Sequence, residues 1–259
     1  MKHITLERDG DVLRAVIDRA GDDLNRVDGE LHDDLTELFP LLQKERDARA
    51  VVLTGRGRAF SAGGDFSWFP TLQEPGALEP LRLDGKSIIW NLLDVHLPIV
   101  CAINGHAIGL GASIALLCDA AVMAESATIA DPHVRVGIVA GDGGTAAWPL
   151  AIGPMLAKRY LLTGDAVTAA DALRMGLVTE VAPDDEVDAR AMAFARRLAA
   201  GAPLAVQYTK AAVNKLIKTA LNDAFDFATA LEIVTFQSAD HREALAAIRE
   251  KREPKYEGR

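Results

Sequence analysis

The chain holds only two cysteines in 259 residues, Cys101 and Cys118, and both stand in apolar sequence. They read as small core residues in a reducing setting, not as a disulfide framework. Lysine and arginine never gather into a run longer than a few positions, and the formal net charge is −9. That balance opposes binding to a phosphate backbone, so nucleic acid is not expected as a partner. The start, Met1-Lys2-His3-Ile4-Thr5, lacks an apolar leader and meets Glu7 and Asp9 at once. A cytoplasmic protein without an export signal is expected. No Ser/Pro-rich or low-complexity linker divides the chain, and no Walker sequence occurs. His3, His32, His96, His106 and His241 are scattered without ligand spacing, so no metal is expected.

What the chain does have is apolar material, 49% of its residues, enough to bury a full core. From Leu97 to Ala124 it is nearly continuous, but Pro98, Asn104, His106 and Asp119 interrupt it, as do Gly105, Gly109 and Gly111. A buried strand, a glycine turn and a buried helix explain this run better than a membrane span. Residues 4–7 and 12–18 alternate like paired strands about Asp9-Gly10-Asp11. Leu31, Leu35, Leu38, Phe39 and Leu42 recur at helical spacing, and Ala50–Thr54 reads as a short buried strand. The segment with Pro70, Pro75, Gly76 and Pro80 reads as a mobile loop, followed by a helix over Leu83–Leu93. Strands are predicted at Ile99–Ile103, Ala120–Ala124 and Thr128–Ala130, and helices at Gly111–Leu117, Val187–Ala200, Ala205–Thr219 and Asn222–Thr235. The result is an α/β core over residues 1–195 with a helical region over 196–259.

Two segments join a buried strand to glycine-rich backbone: Thr54-Gly55-Arg56-Gly57-Arg58-Ala59-Phe60-Ser61-Ala62-Gly63-Gly64-Asp65 and Ile103-Asn104-Gly105-His106-Ala107-Ile108-Gly109-Leu110-Gly111. Glycine lets backbone approach a ligand closely, and free N–H groups at such turns make oxyanion sites. Together the segments resemble the signatures of the crotonase (enoyl-CoA hydratase/isomerase) family. The likeness continues through Cys118-Asp119, Val136-Gly137, Gly143-Gly144-Thr145, Leu162-Thr163-Gly164, Ala172–Val178 and Glu250–Tyr256.

The resemblance implies a spiral of ββα units and a substrate bound as its coenzyme A thioester, with no permanently bound cofactor. It also implies assembly as a trimer or dimer of trimers through the C-terminal helices. The family's two oxyanion donors fall on the N–H groups of Gly64 and Leu110. Its CoA-binding positions fall on Leu24, Ala62, Gly64, Asp65 and Leu110, with Lys251 reaching a neighbouring subunit's CoA.

One part of the family pattern is missing. The two glutamates that hold and deprotonate water in standard hydratases are replaced by Ser113 and His133. His133 suits proton transfer near neutrality. Asp142, in Gly141-Asp142-Gly143-Gly144, is the second candidate acid or base, with a carboxyl that desolvation is expected to raise toward neutrality. With Trp148-Pro149 this stretch also resembles crotonase-fold β-diketone hydrolases. The bland alternatives are a histidine bonded to a backbone carbonyl and a turn or N-cap aspartate. Three further readings compete: a serine hydrolase built on Gly111-Ala112-Ser113-Ile114-Ala115, a dinucleotide site at Gly109-Leu110-Gly111, and a non-catalytic partner-binding protein. The intact oxyanion segments and the His/Asp replacement favour an enzyme.

Overall fold

A computed structural model describes residues 1–259. The alternating segments at the start pair as an antiparallel hairpin, β1 (Ile4–Asp9) and β2 (Val12–Ile17). The first helix, α1 (Gly29–Lys44), is capped by Asp28, whose side chain accepts from the N–H of Leu31 at 2.9 Å, and its five periodic apolar residues are all buried. That helix carries the chain over to β3 (Ala50–Gly55), which lies parallel to β2.

From here the chain repeats one move. A strand enters a large sheet, a three-residue strand enters a small one, and a helical segment follows. The first turn is β3, β4 (Ala59–Ser61) and α2 (Leu78–Asp94); the second is β5 (Ile99–Ile103), β6 (His106–Ile108) and α3 (Leu110–Leu117). The third is β7 (Ala120–Ala124), β8 (Thr128–Ala130) and a short 3-10 turn over His133–Val136, then α4 (Gly144–Ile152). Successive turns stack so tightly that a Cβ on Gly105 would lie 2.1 Å from the carbonyl oxygen of Arg58. Only glycine fits there.

The chain continues through α5 (Pro154–Thr163), β9 (Val167–Thr168), α6 (Ala169–Met175), β10 (Glu180–Ala182), α7 (Val187–Ala199), α8 (Pro203–Phe236) and α9 (Ala239–Glu250). The large sheet has the order β1-β2-β3-β5-β7-β10, and the small one β4-β6-β8-β9. Every residue of β3, β5 and β7 is buried, which is why these strands read as unbroken apolar runs. The apolar stretch from Leu97 to Ala124 thus becomes β5, β6, α3 and β7, and no helix is long and apolar enough to cross a membrane.

Two expectations change. The segment after Asp65 is not a bare mobile loop: Phe69–Gln73 forms a 3-10 helix, and α2 begins at Leu78. Phe69, Leu72 and Leu78 cause this by burying themselves with Ile138 and Phe236 in a satellite core. The two helices foreseen over Ala205–Thr219 and Asn222–Thr235 are one 34-residue helix, α8. Neither glycine nor proline lies between them, and Asn222, exposed on the outer face, costs a helix only a few tenths of a kcal/mol.

Candidate active site

Three adjacent parallel strands of the small sheet, β4, β6 and β8, end side by side. Gly64, Leu110 and His133 each follow within three residues of those ends. Segments far apart in sequence therefore meet across strand spacings of about 5 Å, at the carboxyl edge where α/β sheets commonly place ligands. Asp142 arrives from the loop before α4. All four line one cavity of about 680 Å³, measured out to its mouth.

The backbone of that edge leaves two donors free. Val27 donates to the carbonyl of Gly63 and accepts from the N–H of Asp65, both at 2.8 Å, so the N–H of Gly64 between them has no acceptor in the chain. Leu110 is the first residue of α3, where an N–H has no intrahelical partner, and none is found elsewhere. Its side chain joins the main apolar core, so leucine serves here as well as glycine would. Gly109, at φ +56°, brings the turn against His133: a Cβ on it would stand 3.3 Å from that ring's Cε1.

The ionisable groups form one buried cluster. His133 Nδ1 bonds the fully buried carboxylate of Asp131, and Nε2 lies 3.4 Å from Asp142 Oδ2. Ser113 donates to Asp142 Oδ1 at 3.2 Å. Burial disfavours a charged His133, but the carboxylates of Asp131 and Asp142 overcome it and hold the imidazolium pKa well above its ordinary value. Burial likewise pushes Asp142 up, but the His133 charge, the Ser113 hydroxyl and the N–H of Gly144 win, and its carboxyl ends below the usual range. The expectation that Asp142 rises toward neutrality is therefore corrected: a cation beside a carboxylate outweighs desolvation.

The raised carboxyl is a different one. Glu232, on α8, lines the same cavity and is pushed up to about 8 by burial and by the nearby charge of Asp142. It was missed in the sequence because it sits amid an apolar helix. The signal was present: Leu221, Phe225, Ala228, Thr229, Glu232 and Phe236 are the buried stripe of α8, and a carboxyl on such a stripe is out of place. Gly141 and Gly144 carry a matching signal, for a Cβ on Gly141 would meet Glu232 Oε2 at 2.4 Å and one on Gly144 would meet Asp131 Oδ2 at 2.0 Å. His32 was also passed over; it is buried at the cavity wall, its ring 5.7 Å from that of Trp68 and bonded to nothing.

The remaining sequence candidates lie at varied distances from this cluster. The carbonyl of Leu24 accepts from the N–H of Ala62 at 2.9 Å, which ties the segment between β4 and Gly64 to the chain before α1. Asp65 spends its carboxylate on Arg19, at 2.7 Å, and on the N–H of Ser67, at 2.9 Å, which fixes the Gly64 turn from behind. Lys251 ends α9 in a left-handed conformation and is exposed, away from the cavity lining. Ser113 is wholly buried within α3, so no nucleophile elbow is formed. Asp131, His133 and Asp142 are residue types that ligate metals and lie within 4.8 Å of one another. Both ring nitrogens of His133 face carboxylates, Asp131 at Nδ1 and Asp142 at Nε2.

Comparison with known proteins fits this geometry. The model of the enoyl-CoA hydratase/isomerase family matches residues 13–259. The chain belongs to that family. It is 35% identical to an (E)-benzylidenesuccinyl-CoA hydratase of Thauera aromatica, covering 98% of this chain and 99% of that one. Among solved structures, an enoyl-CoA hydratase/isomerase from Mycobacterium paratuberculosis aligns with a TM-score of 0.90 at 38% identity, over 95% of this chain and 98% of that one. A β-diketone hydrolase from the cyanobacterium Anabaena, bound to (S)-3-oxocyclohexyl acetic acid, aligns with a TM-score of 0.85 at 32% identity, over 91% and 94%. The ββα spiral expected of a crotonase is thus the fold of this enoyl-CoA hydratase/isomerase family member.

Proposed function

We propose that this family member converts an acyl-CoA or enoyl-CoA thioester through an enolate held between the N–H groups of Gly64 and Leu110. The observation that carries this reading is the convergence of those two free donors with the His133–Asp142 pair in one cavity. Two donors aimed at a developing oxyanion stabilise it, each by about 3 kcal/mol. Asp142, held ionised, takes the proton of water as its oxygen adds to the β-carbon. His133, held protonated, delivers a proton to the α-carbon of the enolate. The Asp142 proton then returns to His133 across their 3.4 Å contact, and the pair is reset. Asp131 fixes the ring and sustains its charge. Isomerisation uses the same groups without the water.

A second reading is hydrolysis of a C–C bond in a β-diketone. The carboxylate–imidazole–carboxylate array in place of two glutamates favours it, as does the likeness to the Anabaena hydrolase. An enolate is again the leaving species, so the oxyanion donors keep their role.

A panel of enoyl-CoAs, acyl-CoAs and cyclic β-diketones, with CoA binding measured in parallel, separates these readings. Turnover of a thioester is expected, and Asp142→Asn and His133→Gln should each lower it by roughly 10² to 10⁴ with little change in affinity. Turnover of diketones alone moves the assignment to the second reading. Binding of CoA thioesters without turnover of any substrate defeats both and points to a non-catalytic protein.

A further inference from the structure

The site is built from two halves, the Gly64 side and the His133 side, and one histidine outside it touches both. His241, the third residue of α9, is completely buried. Its Nδ1 lies 2.7 Å from the carbonyl oxygen of Val136, the last residue of the 3-10 turn that begins at His133. A carbonyl only accepts, so Nδ1 carries the proton. Its Nε2 has no partner and faces apolar surroundings.

The ring packs against Phe69 and Phe236, with centroids at 5.8 and 5.1 Å, and those two rings lie 5.8 Å from each other. Phe69 in turn presses on the oxyanion turn: a Cβ on Gly64 would come within 2.5 Å of its Cζ. Gly137, just after the His133 turn, is seated on α9 so closely that a Cβ there would meet the backbone N of His241 at 3.0 Å. Ser238 caps α9 by accepting from the N–H of His241 itself, at 3.0 Å, which holds the residue in place. Tyr256 adds a parallel bond, its hydroxyl donating to the carbonyl of Arg135 at 2.7 Å.

We infer that His241 is a positioning residue that sets the distance between the oxyanion donors and His133, gripping the His133 turn through Val136 and the Gly64 turn through Phe69. The inference rests on the reading of His133 as the proton carrier. A histidine with a purely structural role would make the same bond and the same ring contacts, but its replacement in a folded protein would move neither kcat nor the titration of His133. The two functions are separable, because Phe keeps a ring of similar size without the donor, and Asn keeps a donor near the Nδ1 position without the ring.

The test combines rates with the titration of His133 followed by NMR. His241→Phe should lower kcat by about 10- to 100-fold, the cost of a displacement of about 1 Å or less, with KM little changed. The titration midpoint of His133 should also move, because the turn that holds it against Asp131 is released. His241→Asn should bring that midpoint back toward the wild-type value. A folded His241→Phe protein with unchanged kcat and unchanged His133 titration overturns the inference. If neither variant folds, nitrogen NMR of the wild type decides: an Nδ1-protonated, slowly exchanging His241 supports the grip on Val136, and an Nε2-protonated ring overturns it. His133→Gln, run alongside, tests the underlying reading, since full turnover in that variant removes the proton carrier whatever His241 does.

Discussion

Two regions of this molecule build one cavity by opposite means. The strand ends of the small sheet contribute backbone: N–H groups left free by the geometry of a turn and of a helix start, at residues whose side chains are hydrogen or buried hydrocarbon. The long helix α8 contributes a side chain, the neutral carboxyl of Glu232, from a buried stripe that is otherwise uncharged. A backbone donor survives a change of side chain where that side chain has room, as at Leu110, but not a change in path. A side-chain acid is the reverse, for its helix tolerates substitution while the chemistry depends on one group. Substitutions that respect one rule and break the other discriminate between the two.

Among the substitutions that separate backbone from helix, the largest effect is expected at Leu110. Leu110→Pro removes the donor and should cut turnover by about 10² to 10³, the loss of one oxyanion contact, whereas Leu110→Ala keeps the N–H and should retain most activity. Circular dichroism on both must match the wild type for the comparison to count, and similar mild losses in both would undo the oxyanion assignment. Next comes Gly141→Ala, where the loop holding Asp142 meets α8. Its Cβ would fall 2.4 Å from Glu232 Oε2, so either the loop holding Asp142 or the Glu232 carboxyl must shift. A misplacement of about 1 Å costs up to about 10² in rate, so steady-state turnover should drop by about that factor.

The sequence made the backbone half of the site legible and left the helical half obscure. Gly64 and Leu110 were placed by the resemblance of two segments to the family's signatures, and those segments stand out because a requirement for positive φ or close approach leaves glycine in the sequence, as at Gly109 with φ +56° and Gly105 against Arg58. His133 and Asp142 were visible as replacements at known places in a family pattern, but the sign of the Asp142 shift was not, since it depends on a 3.4 Å contact that no local sequence encodes. β4 and β6 escaped notice because they lie inside the glycine-rich segments, which read as turns, whereas β8, equally short, stands outside them and was legible. Glu232 and His241 were hidden for a different reason. They lie some 90 to 110 residues beyond His133 and reach the site only through the packing of α8 and α9, which helical periodicity does not specify.

Glu232 gives a smaller but sharper test of the helical half. Its carboxyl is raised by burial and by Asp142 to about 8, well above its ordinary value near 4.5. Between those values the unfolded chain releases this proton and the folded protein keeps it, so the folded state binds more protons and stability falls as pH rises. Above pH 8 the penalty is complete, on the order of a few kcal/mol. Glu232→Gln should flatten that part of the stability–pH profile in urea melts and leave the protein at least as stable as wild type at pH 8 to 9. Turnover should fall by no more than about tenfold, less than for His133→Gln, because the amide keeps the shape of the cavity wall and the proton transfers belong to Asp142 and His133. A variant with the wild-type slope would mean that Glu232 is ionised at neutral pH.

The smallest effect on chemistry, and the largest on assembly, is expected on the opposite face of the same helix. Leu221 is fully buried within its own chain and so cannot serve a subunit contact, and Ile217 is half-buried. Val213 and Leu216, in contrast, are 53% and 72% exposed, and Tyr208, Phe227 and Val234 continue that apolar face along α8. An apolar face of this extent in contact with water favours association, and closed homo-oligomers commonly satisfy it. The expected state is a trimer or a dimer of trimers, read by light scattering at micromolar concentration. Leu216→Glu places a charge in the contact and should shift the population toward monomer. The cavity lies on the other side of the helix, so kcat on the monomer should stay within a few fold of the wild type. A wild-type protein that remains monomeric would remove the oligomer and leave this face unexplained; a Leu216→Glu monomer that loses all turnover would mean that a neighbouring subunit completes the site, and Lys251 is then the first residue to substitute.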